Sequence, residues 1–406
     1  MSNPVVLTEK NTMYRNRNQI RAIILLLLSA LIMNSCSRVK EQEVFVFDPS
    51  KNYPEFPLSL NDVADVSFIK LGGMEDGIYL STLRSSGIFI DHLHGRLFAC
   101  HPSIGVLEFD GQGRFLRKIG RIGRGPGEYM NVYFYVQPEE ERVGIYDPIR
   151  EKFLVYKYDG TFLDDEGITA RILPGFLTFL IKNNCLIDYN PNSVVYSERD
   201  GRTFVTSERT LKLFPLNAQS TASIKDIHYE RPRVMPQDWG EDNYKLMMPG
   251  HLIPSYSGLM MSTHRSDTTY VIEDDFRWRP FLVNEKHNGV QEGCLYPVAE
   301  TKDYLFLCHQ NNLLGGKMYY FVIDKKTRQE YKITKDESNP LPGPLQGKVQ
   351  IEDAGLTKTS DYRFWEFLPQ RLKEECYEYL PEELKTIVDQ CDEDSNPILM
   401  IIKFKE

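Results

Sequence analysis

Apolar and polar residues alternate along much of this chain in short runs, and the period is two. Runs such as 106–109, 153–158, 304–308 and 319–323 are rich in β-branched and aromatic residues, and most are bounded by glycine or aspartate. That spacing predicts strands; a helix would return its apolar residues every 3.6 positions. The densest stretch is 105–129, which reads as a strand (106–109), an Asp110-Gly111 turn and a returning strand (114–119). A crossing follows, in which Gly120, Gly123, Gly125 and Gly127 surround Pro126. Glycine takes positive φ without a Cβ clash and proline fixes φ, so this composition suits a compact, rigid passage between two small sheets. Gly123-Arg124-Gly125-Pro126-Gly127 also has the look of a phosphate cradle. A cradle leads into a helix whose free N–H groups meet the phosphate. Here Tyr133-Phe134-Tyr135-Val136 are strand formers and Pro126 removes a donor, so the structural reading is preferred.

The hairpin recurs. Residues 153–158 lead to Asp159-Gly160 and on to Thr161-Phe162-Leu163, a turn spacing of 159 − 110 = 49. A weaker copy surrounds Asp200-Gly201, at 200 − 159 = 41. Periods of this size with several strands each predict an all-β fold, a β-propeller whose blades are four-stranded meanders.

The Phe-Asp-Gly-x-Gly-x-Phe-Leu hairpin from Phe109, followed by Ile-Gly-Arg-x-Gly-x-Gly-Pro-Gly-Glu-Tyr through Tyr129, resembles the six-bladed β-propeller lipoproteins of Bacteroidota, relatives of NHL-repeat propellers. Ser266-Asp267-Thr268-Thr269-Tyr270 and the tail 392–403 are further matching pieces, so the resemblance spans nearly all of the chain after the leader. It implies a six-bladed propeller in the cell envelope. That family is largely of unknown function, and the resemblance carries over no catalytic residue.

Residues 1–36 read as a lipoprotein signal peptide. Arg15, Arg17 and Arg21 precede an apolar run at 22–33, too short to cross a bilayer, and Ser35-Cys36 follows directly. Cys36 is the expected lipidation site and mature N-terminus. Residues 37–62 read as a tether and 63–406 as the propeller, with strand 63–71 expected to pair with tail 398–404 and close the ring. Blades are placed at 79–120, 131–170, 174–208, 251–283 and 302–334, with an irregular insertion at about 209–250. The last blade, 345–406, carries a small helical excursion at about 369–391, with Leu372, Cys376 and Leu380 on one helix and Leu384, Ile387, Val388 and Cys391 on the next.

Composition narrows the function. The full chain carries 48 basic and 57 acidic residues; loss of the leader removes four and one, leaving 44 − 56 = −12. No basic stripe exists, which argues against nucleic-acid binding and against any membrane contact beyond the lipid anchor. Six cysteines remain after Cys36 and none forms a Cys-x-x-Cys pair, so no zinc site is expected. Cys100 and Cys308 read as buried hydrophobes, while a Cys376–Cys391 disulfide is left open.

Candidate chemistry is sparse. Asp91, His92, His94 and His101 cluster in sequence, but Asp91 to Gly95 falls where a hairpin turn is expected, and solvated turn histidines are the preferred reading. His251 and His264 flank strands of the fourth blade and read as structural. No Gly-x-Ser-x-Gly, His-Glu-x-x-His or calcium-loop pattern occurs. Acidic pairs at 164–165, 274–275 and 392–394 read as solvated charge. The expected ligand-binding residues are Arg121, Arg124 and Glu128 on the crossing and Trp239 in the insertion. The expectation is a binding or interaction module for a glycan, a peptide or a partner protein, with no cofactor and no metal. The alternative is a channel-centred lyase or hydrolase of NHL-like type.

Overall fold

The computed structural model describes residues 44–80, 87–147, 149–150, 152–166, 178–182, 185–199, 202–215, 222–228, 233–234, 250–263, 267–273, 277–285, 294–311, 317–336, 338–347 and 361–405. The chain divides into two compact units, Met1–Phe45 and Val46–Glu406, and the architecture that follows is that of the second.

Antiparallel meanders follow one another along the chain. The first sheet is Ile88–Asp91, Arg96–His101, Gly105–Asp110 and Phe115–Ile119; the second is Tyr133–Gln137, Arg142–Asp147, Lys152–Lys157 and Phe162–Glu166. The third is Thr178–Lys182, Cys185–Arg199, Arg202–Pro215 and Ala222–His228, with Arg233–Val234 also pairing to its third strand. Gly250–Ser255, Gly258–Thr263, Thr268–Ile272 and Trp278–Asn284 make the fourth. The fifth is Cys294–Glu300, Tyr304–Gln310, Met318–Asp324 and Glu330–Ile333. In the sixth, Ile398–Phe404 lies between Tyr362–Phe367 and the N-terminal strand Ala64–Lys70, with Ala64 opposite Phe404 and Lys70 opposite Ile398. The expected pairing of the two ends is present.

The turn chemistry explains the repeated hairpin. In the first, second and fifth sheets an aspartate stands at or just past the end of the third strand, and its Oδ1 accepts backbone N–H groups just ahead: Gln112 N to Asp110 at 2.9 Å, Thr161 N to Asp159 at 2.8 Å and Lys326 N to Asp324 at 2.9 Å. Such side-chain closure fixes the turn locally. A bulge then recurs in the outer strand, where Leu116, Leu163 and Phe281 are the extra residues. Bulges twist an outer edge and discourage edge-to-edge pairing.

Each sheet packs on the next, so central strands are covered on both faces; every residue of Gly105–Asp110 is buried. Phe98, Cys100, Val106 and Ile119 of the first sheet meet Phe134, Ile145, Leu154 and Tyr156 of the second. The opposite face of the first sheet, with Leu97, Leu107 and Phe109, meets Phe364, Leu399 and Ile401 of the sixth. Tyr296, Phe306 and Val322 of the fifth pack on Ile398, Met400 and Ile402 of the sixth. Strand Tyr133–Gln137 lies beside Thr178–Lys182, Gly250–Ser255 beside both Thr178–Lys182 and Cys185–Arg199, and Cys294–Glu300 beside Gly250–Ser255.

Several expectations need correction. The stretch read as a tether is packed from Phe47 onward: Phe47, Tyr53, Phe56 and Leu60 are buried. It runs along outer edges, Glu285 N donating to Phe47 O at 3.0 Å, Lys332 N to Pro54 O at 2.9 Å and Phe56 N to Lys332 O at 2.8 Å. Apolar residues spaced among polar ones are what a strap on a sheet edge needs, and composition alone hides it. The 209–250 insertion begins with strand, since Arg202–Pro215 and Ala222–His228 are long paired elements. Asp200 and Gly201 lie outside the described residues, but the strands on either side, Cys185–Arg199 and Arg202–Pro215, are a second and a third, whereas Asp110-Gly111 joins a third to a fourth, so the 41-residue spacing compared unlike positions. The fifth sheet starts earlier than expected, at Cys294, with Pro297 inside its first strand and Val298 as a bulge. Helices Pro369–Glu375 and Glu382–Asp389 bury Leu372, Leu384 and Val388 in the core. Cys376 and Cys391 are free buried thiols, each donating to the carbonyl four residues back, Leu372 O at 3.8 Å and Ile387 O at 3.2 Å.

Candidate functional site

The crossing out of the first sheet is a closed loop. Arg121–Ile122 pairs in parallel with Glu128–Tyr129, and Gly123 N donates to Tyr129 O at 2.9 Å. Glu128 turns back into it: Gly125 N donates to Oε2 at 2.6 Å, and the Arg121 guanidinium pairs with Oε1. A Cβ at Gly123 would stand 2.1 Å from Glu128 Oε2, so a side chain there would displace the carboxylate from this position. From outside the loop, Arg150 Nη1 donates to Glu128 O at 2.7 Å, and the Tyr156 hydroxyl to Gly127 O at 2.7 Å. Buried Asp147 anchors the exit, accepting from Met130 N at 2.7 Å and Ile149 N at 3.0 Å. The glycine-rich loop therefore does gather an anion among its N–H groups, and the anion is its own Glu128 carboxylate.

Tyr129, 0% exposed, fastens the loop to the first sheet. Its hydroxyl donates to Ile119 O at 2.9 Å and accepts from Val106 N at 3.1 Å. A Cβ on Gly105, at φ 101°, would lie 2.3 Å from that hydroxyl. The Gly-Pro-Gly-Glu-Tyr motif is thus a clasp.

Of the expected binding residues, Arg121 and Glu128 are brought together and consume each other's charge. Arg124 is exposed, and its guanidinium has no hydrogen bond or ion pair among the described residues. Trp239 lies outside the described residues, as does Cys36.

Hydrogen bonding from Gly125 N, reinforced by Arg121, holds the Glu128 carboxyl below its ordinary range. A depressed carboxyl pKa adds stability that is full above the unfolded value, about 4.3, and is lost as pH falls through the folded one. The protection factor of the Gly125 amide, its exchange rate relative to that of an unfolded chain at the same pH, is therefore expected to fall on acidification below about pH 4. Glu128→Gln should show fast exchange already at neutral pH. Equal protection in both proteins at all pH values would contradict the clasp.

The histidine turn is more ordered than its sequence indicates. Asp91 is 2% exposed and accepts from Leu93 N at 2.9 Å, His94 N at 3.2 Å and the Tyr158 hydroxyl at 2.9 Å. His94 Nδ1 lies 2.8 Å from Asp91 Oδ2, and His92 sits edge-on to Tyr362. The expected hairpin turn is present and His92 is exposed in it, as read; His94 departs from that reading, being partly covered and oriented by a buried carboxylate. The Asp-x-x-His spacing was visible in sequence; the Tyr158 contact from the next sheet was not. Among the described residues no three His, Cys, Asp or Glu side chains are grouped to hold a metal.

Arg363 was also missed. At 3% exposed it donates to Tyr362 O at 2.8 Å, Val298 O at 3.3 Å and Pro254 O at 3.5 Å, linking the first strands of the fourth, fifth and sixth sheets. Burial lowers its pKa to about 10. The Val298 bulge is what aims a carbonyl at it.

Comparison with solved structures yields a protein from Bacteroides fragilis described as exported, 17% identical, with 90% of this chain and 100% of that one aligned at a TM-score of 0.56. A member of the DUF4221 family from Bacteroides vulgatus is 12% identical over 84% of this chain and 97% of that one, at 0.46. A protein of unknown function from Bacteroides thetaiotaomicron is 12% identical over 84% and 76%, at 0.41. At these identities only the fold is shared, and only the first carries that far. No curated protein matches the chain. A family model does match, over residues 96–403, and on that span the chain belongs to the family described as a domain of unknown function, DUF4934.

Proposed function

We propose that this protein is a six-bladed β-propeller of the cell envelope, lipid-anchored through Cys36, which binds a glycan, a peptide or a partner protein. The observation that carries the binding reading is Arg124. Its guanidinium is exposed and makes no hydrogen bond or ion pair among the described residues, on a loop pinned by Glu128, Tyr129, Arg150 and Tyr156. The pinned backbone has little freedom left to lose on binding, and the planar donors of the guanidinium suit carboxylates and hydroxyl-rich groups.

The ring is supported by the succession of packed neighbours, first to second and onward to sixth and back to first, and by the N-terminal strand lying in the last sheet. A closed ring removes the two bare sheet faces that an open stack would leave. The envelope location is supported by the leader and by the likeness to a protein described as exported; no helix among the described residues is long and apolar enough to cross a membrane. A channel-centred lyase or hydrolase is the second reading, favoured by the buried Asp91 that orients His94 as a general base is oriented.

The binding reading is tested by screening the mature chain against glycans, peptides and envelope proteins, then repeating the best hit with Arg124→Ala and Trp239→Ala. Both should weaken it while the melting temperature stays unchanged; unaltered binding in both would refute this site. For the anchor, Cys36→Ala should leave the membrane fraction or stay unprocessed, and equal retention would refute lipidation.

A further inference from the structure

A second surface feature has the construction of a ligand platform. Gly250–Ser255 and Gly258–Thr263 are joined by a two-residue turn, Tyr256-Ser257, with Ser255 opposite Gly258. Gly258, at φ 132°, takes the unusual backbone, and Ser255 Oγ closes the turn by donating to Gly258 O at 2.7 Å. Nothing in that geometry requires a tyrosine, and short turns favour asparagine, aspartate or glycine. Yet Tyr256 stands there, 61% exposed.

The neighbouring sheet holds this turn with a buried ionic network. Glu300, 1% exposed, accepts from Ser257 N at 2.8 Å, Ser257 Oγ at 2.6 Å and Lys325 Nζ at 2.6 Å. Lys325 Nζ also donates to Thr301 O at 2.9 Å and lies 4.9 Å from the centre of the Tyr256 ring. Burying a carboxylate and an ammonium is costly and contributes little net stability, so such pairs commonly serve to specify geometry. Here the geometry specified is that of an exposed ring: Lys325 covers one face and leaves the rest open to solvent. Exposed Lys302 and Asp303 border Lys325, whose backbone N–H donates to Asp303 O at 2.8 Å.

We infer that Tyr256 is the stacking platform of a carbohydrate subsite, taking the apolar face of a sugar ring while the exposed charges of Lys302 and Asp303 beside Lys325 meet its hydroxyls. This deepens the binding-module reading and rests on it, but at a turn distinct from the Arg124 loop. A flat ring beside fixed polar groups matches a ligand that is apolar on one face and polar at its rim, which an extended peptide is not.

The test is an array of neutral and acidic oligosaccharides probed with the mature chain and with Tyr256→Ala, Tyr256→Phe and Arg124→Ala, followed by calorimetric titration of the best-bound oligosaccharide. Tyr256→Ala should weaken it by about tenfold or more, and Tyr256→Phe, which keeps the ring, by no more than about twofold. Circular dichroism of the variants should match the parent, since the residue is exposed. Binding lost in Arg124→Ala but kept in Tyr256→Ala would overturn this inference and leave the Arg124 site standing. A parent chain that binds no oligosaccharide would overturn it too, leaving peptides and proteins as the module's ligands.

Discussion

Tyr129→Ala is expected to remove most of the stability of the protein. Deleting a fully buried aromatic side chain costs about 3–5 kcal/mol, against total stabilities of about 5–15. Here it also strands Val106 N and Ile119 O, the two groups that the hydroxyl now satisfies. Tyr129→Phe keeps the ring and gives up only those bonds, so its loss should be about 1–3 kcal/mol for each of the two groups left without a partner. Equilibrium denaturation of the three proteins checks both values. Similar losses in the two variants would mean that the hydroxyl, not the ring, dominates; no loss in either would mean that the clasp does not hold the crossing.

Deleting residues 396–406 should abolish cooperative unfolding altogether. Ile398–Phe404 is the middle strand of the sixth sheet, and its removal unpairs both Ala64–Lys70 and Tyr362–Phe367. Ile398, Met400 and Ile402 leave one core and Leu399 and Ile401 another, so two sheet interfaces open at once. Asn396 goes as well, with its bonds to Leu80 N at 2.7 Å, Gly72 O at 2.8 Å and Ile78 O at 2.9 Å. Exposed edges of this kind invite aggregation. A truncated chain that stays soluble and melts at the parental temperature would show that the ends do not close the fold. Asn396→Ala provides a graded version, expected to cost about 1–3 kcal/mol for each buried group left without a partner.

Much of the fold was legible in the chain because strand period and turn chemistry are local. Asp110 and Asp159 bond backbone groups only a few residues ahead, so an Asp-Gly hairpin announces itself wherever it occurs. The same locality misled the reading at Asp200-Gly201, because a turn signal does not say which two strands it joins. The pairing of the chain ends was legible for a different reason: two apolar strand-like segments at the extremes of a repeat have few other partners.

Of the site, the sequence determined the residue types and the rigidity of the crossing, since glycine and proline act through their own backbone. It could not assign the charges. Arg121, Arg124 and Glu128 lie within eight positions, and the sequence does not say which charges pair, yet folding pairs Arg121 with Glu128 and leaves Arg124 without a partner among the described residues. That choice depends on where the Glu128 carboxylate turns, which is set by the empty space at Gly123 and by Arg150 and Tyr156 arriving from the second sheet. The Tyr158 bond to Asp91, the Arg363 tie and the Tyr256 platform were hidden for the same reason. Each joins residues from different sheets, more than forty positions apart, and only tertiary packing brings such groups within hydrogen-bond range.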